Sequence, residues 1–148
     1  MNSFLKRTEL QRSLKAPELQ RSLKWSGNYR ARWHDYRARA IYHITLLKAP
    51  GCESFGRLGG DSAVPPGSPG SPYLIASPTG KCIKEALRRL PEIHPSLRLF
   101  QYALMPDHLH LLLSVESELD DILGRKLAIF KVMVNKLSSQ EQVFQKGF

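Results

Sequence analysis

His108 and His110, set one residue apart, are the side chains of this chain whose spacing most readily does chemistry. They stand in Met105-Pro106-Asp107-His108-Leu109-His110-Leu111-Leu112-Leu113, which reads as a turn delivering a buried strand. Successive strand side chains point to opposite faces. His108, His110 and Leu112 therefore share one face, and Leu109, Leu111 and Leu113 share the other. At a rise of about 3.3 Å per residue the two imidazoles start roughly 6.6 Å apart, close enough to converge on one metal ion. A single buried histidine is ordinarily a hydrogen-bonded core residue. Two on one strand face, directly after a turn, point instead to a metal or catalytic role. One position argues against two other chemistries. A zinc hydrolase of the His-x-His-x-Asp type needs an acid where Leu112 stands, and a histidine-triad nucleotide hydrolase needs a third histidine there.

The elements that must position this pair follow from periodicity. Residues 40–48 read as a first strand, rich in β-branched and aromatic side chains. His43 in that strand neighbours the pair only if the two strands lie side by side. By itself it reads as a packed strand histidine. Residues 49–79 are rich in Gly, Pro and Ser and predict one long loop with no regular element. Gly59-Gly60 within it lacks the following Lys-Ser/Thr of a phosphate-binding loop. Residues 80–91 predict a helix, with Thr79 as N-cap, Ile83, Ala86, Leu87 and Leu90 on its apolar face, and Pro91 and Pro95 ending it. His94 reads as a loop residue.

Residues 96–104 read as a second strand, joined by the short turn 105–107 to the strand 108–115 in an antiparallel hairpin. Residues 118–137 predict a second helix with Asp120 and Asp121 near its start, Gly124 as a weak point, and Lys126, Lys131 and Lys136 on a solvated face. The order strand, helix, strand, strand, helix predicts an α+β fold. Its form is the ferredoxin-like split βαβ antiparallel sheet, with helices on one face.

Charge points to a partner. Lys and Arg number 22 against 13 Asp and Glu, a formal +9 over 148 residues, and nucleic acid is the commonest partner of such an excess. Part of it lies in the first forty residues. Glu9-Leu10-Gln11-Arg12-Ser13-Leu14-Lys15 returns unchanged at 18–24, too short and too few for a solenoid, so residues 1–38 predict a basic, repeat-containing, flexible arm. Residues 25–40, across its end, interleave Arg30, Arg32, Arg37 and Arg39 with Trp33 and Tyr36, a pattern that holds phosphates and stacks on unpaired bases. Residues 39–137 then form the domain and 138–148 a tail. Cys52 and Cys82 form no metal-binding cluster and read as reduced thiols. No apolar run has membrane-spanning length and no signal-peptide core is present, so the expectation is a soluble cytoplasmic protein with no membrane partner.

Tyr102-Ala103-Leu104 followed by Met105 to Leu113 resembles the signature of the HUH single-strand DNA transposases, the insertion-sequence TnpA type and the REP-associated tyrosine transposases. Tyr42-His43-Ile44-Thr45, Phe55-Gly56-Arg57-Leu58, and Gly80-Lys81 through Leu90-Pro91 to His94-Pro95 resemble further elements of that family, over roughly residues 30–135. The resemblance implies the same ferredoxin-like fold. It implies a divalent metal, Mg or Mn, held by His108 and His110, and single-stranded or hairpin DNA as partner. It allows a homodimer as well as a monomer. It also implies attack on a DNA phosphate by a tyrosine on a helix downstream of the histidine pair. Here the chain departs from the family. Tyr29, Tyr36, Tyr42, Tyr73 and Tyr102 all precede His108, and none follows His110. The sequence therefore reads as a C-terminally truncated transposase with no catalytic tyrosine, binding DNA without cleaving it. Two other readings are a non-catalytic DNA-binding protein derived from a transposase, and an unrelated metallohydrolase drawing on Cys or on acids such as Glu116.

Overall fold

The computed structural model describes residues 33–147. Among these residues five strands and two helices follow one another: β1 (Ile41–Leu47), β2 (Gly56–Gly59), β3 (Tyr73–Ala76), α1 (Pro78–Ile93), β4 (Leu97–Leu104), β5 (His108–Val115) and α2 (Leu123–Ser138). β1, β5 and β4 form an antiparallel sheet with β5 in the centre. Both helices pack on one face of it, giving the split βαβ arrangement that the element order predicts. Alternation along the strands explains the layering. Ile44 and Leu46 of β1 and Leu109, Leu111, Leu113 and Val115 of β5 are buried against Ile83, Leu87 and Leu90 of α1 and Leu127, Phe130 and Val134 of α2. Each such aliphatic side chain contributes about 1.5–3 kcal/mol by leaving water.

β4 carries a bulge. Leu99 pairs with Leu113, but Gln101 pairs with Leu112, so Phe100 is the extra residue. It reverses the strand's parity. Leu97 and Leu99 pair with inward residues before the bulge, and Tyr102 and Leu104 do so after it. Ala103 and Gln101 thus stand beside His110 and Leu112 on the other face.

The segment 49–79 is not one loop. β2 and β3 pair as a small separate hairpin within it. Their glycines made the stretch look structureless, yet Gly56 sits where a Cβ would crowd the backbone of Ile75 and Ala76, so glycine is what the pairing requires. α1 starts two residues earlier than the sequence predicts. Ser77, not Thr79, is its N-cap and accepts a hydrogen bond from Gly80 N, with Pro78 in the first turn. Thr79 is buried and donates from both backbone and hydroxyl to Glu53. Pro91 lies inside the last turn rather than ending the helix. α2 begins at Leu123, so Asp120 and Asp121 precede it and Gly124 falls in its first turn. Lys126 is not on a solvated face: it is mostly buried and paired with Asp120.

The tail after α2 packs back on the domain. Val143 and Phe144 are buried, and the Phe144 ring meets Phe55 and Phe130. Ala49 N donates to Val143 O and Gln145 N to Leu47 O, which bridges the tail to the outer edge of β1 at Lys48.

Candidate metal centre

His108 and His110 sit on the helix-free face of the central strand, as the two-residue period requires. Leu109, Leu111 and Leu113, at most 1% exposed, hold the strand from beneath. The hairpin turn that starts this strand is gripped by the segment leaving β1. Lys48 N donates to Asp107 O, and Phe55 N and the Ser54 hydroxyl both donate to Pro106 O, at 2.8–3.0 Å. Met105 N closes the turn on His108 O.

The two rings lie 4.7 Å apart, nearly perpendicular at 84°. His108 Nδ1 is 2.6 Å from an Asp107 carboxylate oxygen. An ionised carboxylate only accepts, so the His108 proton is on Nδ1 and its Nε2 lone pair is left outward. The same bond holds the Asp107 carboxyl below its ordinary value. Burial, and then the neighbouring imidazoles of His108 and His43, push His110 below the usual histidine range. This favours the neutral ring that a metal ligand must be.

His43 departs from the sequence reading. It is exposed rather than packed in the core. β1 pairs directly with β5, and this brings His43 Nε2 to 3.1 Å from His110 Nδ1. The strand order, a long-range property, decides this. An open depression of about 230 Å³ adjoins the pair, lined by His43, His110, Gln101, Ala103 and Leu112 among others.

Among the described residues no group of three His, Cys, Asp or Glu side chains is placed to hold a metal ion. The side-chain donors that meet here are two imidazoles, His108 and His110; a divalent cation held by them would have to draw its remaining ligands from oxygens of water or phosphate. Such oxygens are what Mg and Mn favour. Glu116 lies beyond the far end of β5, about six residues or roughly 20 Å from His110, so it does not join them. Cys52 is buried and donates to Gln140 instead.

No family model and no curated protein matches this chain. Among solved structures, that of a REP-associated tyrosine transposase bound to a REP hairpin superposes with a TM-score of 0.51 at 11% identity, covering 79% of this chain. The two share a fold. This chain spans 58% of that transposase's length.

In this fold the described part of the basic and aromatic lead-in, from residue 33 on, does not reach the histidine pair. Arg30 and Arg32 lie outside the described residues. Trp33, Arg37 and Arg39 are exposed, and Tyr36 is half-buried beside Tyr42. Arg37 pairs with Glu118, while the carbonyls of Tyr36 and Arg37 accept from Leu123 N and Leu119 N. This segment sits at the start of β1, whereas His110 pairs with Thr45, roughly 17 Å along the strand from Ala40. Among the described residues no helix is long and apolar enough to cross a membrane.

Proposed function

We propose that this chain is a transposase-like DNA-binding domain that holds a divalent metal, Mg or Mn, through His108 and His110 and binds a DNA hairpin with a single-stranded flank. The observation that supports it most is the histidine pair on the open face of a transposase fold, with the His108 ring oriented by Asp107 as a metal ligand needs. When bound, the metal would act as a Lewis acid toward a DNA phosphate. The chain's own residues hold the rings and leave the sheet face accessible to the strand. The formal +9 charge favours the phosphate backbone. Residues 111–148 hold no tyrosine, so the proposal for these residues is DNA binding without a phosphotyrosine bond of their own.

The test combines calorimetry with Mn²⁺ and fluorescence anisotropy on a labelled hairpin bearing a single-stranded 5′ flank. His108→Ala or His110→Ala should weaken Mn²⁺ binding more than tenfold. The flanked hairpin should bind more tightly than a blunt duplex of the same composition, and the affinity should fall as salt rises. Equal binding of both DNAs, or Mn²⁺ binding that survives the double substitution, would refute the reading. A covalent protein–DNA adduct on a denaturing gel would refute the inactivity.

A further inference from the structure

The metal role proposed for His110 makes a demand on the opposite side of its ring, and the part assigned here to His43 rests on that role. A neutral imidazole carries one proton. For Nε2 to keep its lone pair, the proton must lie on Nδ1 and needs an acceptor there. His108 meets the same demand with the Asp107 carboxylate. His110 has no carboxylate. Its Nδ1 faces two groups of β1 instead, His43 Nε2 at 3.1 Å and Thr45 Oγ1 at 3.0 Å. Thr45 is the cross-strand partner of His110, and His43 is two residues along on the same face. The centroids of the His43 and His110 rings are 5.1 Å apart and their planes are inclined by 30°. They meet edge to edge, as an N–H···N bond requires, rather than stacked. His43 Nε2, so engaged, is directed at the back of the His110 ring and is not itself a third ligand.

We infer that His43, assisted by Thr45, is a positioning residue that holds His110 as the Nδ1–H tautomer and so keeps its Nε2 lone pair on the open sheet face. Both residues are exposed, so they can be replaced without opening the core. Their function is to choose between two forms of the same neutral ring.

The tautomer can be read without metal. Long-range proton–nitrogen spectra of the ¹⁵N-labelled chain at pH 8 distinguish a ring protonated on Nδ1 from one protonated on Nε2. His110 should be Nδ1–H in the wild type and should lose that preference in the His43→Ala/Thr45→Val double variant. His43→Gln, whose amide oxygen still accepts, should restore it when compared with His43→Ala. Mn²⁺ affinity of the double variant should fall by roughly 10–100-fold, the usual cost of losing such an orienting group. An Nε2–H tautomer in the wild type, an unchanged tautomer in the double variant, or His43→Gln behaving as His43→Ala would each overturn the inference. So would a His43→Ala loss of Mn²⁺ binding as deep as that of His110→Ala with the tautomer intact, which would make His43 a ligand. If the tautomer shifts as expected but no Mn²⁺ binds even to the wild type, the positioning stands and the metal assignment falls.

Discussion

Gly80 shows how a single residue can be fixed by its neighbour's backbone. It lies in the first turn of α1, where a Cβ would collide with the carbonyl oxygen of Phe55. That carbonyl also accepts from Ser77 N, and the Phe55 side chain is fully buried against Phe144. Alanine is the better helix former by about 1 kcal/mol, yet overpacking costs about 1–3 kcal/mol. Gly80→Ala should therefore lower the urea midpoint, with a net loss of up to about 2 kcal/mol. A stabilised variant would show that Phe55 is free to move. At this scale the sequence was half legible. The alternation in residues 108–113 placed both histidines and their supporting leucines correctly. The partnership of His43 with His110 was hidden, because it depends on which strand lies beside which, and nothing within residues 40–48 encodes that.

The strands and the hairpin turn were legible as elements. Residues 40–48, 96–104 and 108–115 enclose β1, β4 and β5 to within a residue or so, since alternation and turn chemistry are local signals. The helix starts were not, because capping is decided by which hydroxyl finds an amide. At α1, Ser77 takes the cap and Thr79 is drawn off by Glu53 and by Gln140, whose side-chain amide donates to the Thr79 hydroxyl. Ser77→Ala should thus destabilise the protein by about 1 kcal/mol in chemical denaturation. A neutral result would mean that Glu53 alone satisfies the first turn. The β2–β3 hairpin was missed because its glycines read as loop, although crowding at Gly56 is what demands one of them.

Across the whole molecule, the contacts that the sequence least announces are the ones between distant segments. The tail reaches back to β1, and His94, in the loop between α1 and β4 as expected, is nevertheless buried where it caps the C-terminal end of α1. Among the described residues its Nε2 has no hydrogen-bond partner, and Lys126 stands near, paired with Asp120. Burial, and then the Lys126 charge, lower its pKa from the ordinary 6.5. The folded state therefore holds fewer protons on this ring than the unfolded chain. The stability it contributes is fully present above pH 6.5 and is lost as pH falls from there through the lower folded value. That loss is at most about 1.4 kcal/mol per pH unit for one proton. Denaturation midpoints measured between pH 7.5 and 5 should fall for the wild type and flatten for His94→Gln. Equal slopes would refute the assignment.

The bulge at Phe100 makes one codon of β4 dispensable to the pairing of the sheet. With that codon deleted, Leu99 opposite Leu113 would be followed directly by Gln101 opposite Leu112, and Leu97, Leu99, Tyr102 and Leu104 would all keep their partners in an unbroken ladder. The gene could thus lose those three bases and still set Ala103 beside His110, whereas deleting Tyr102 instead would shift a residue between the two faces.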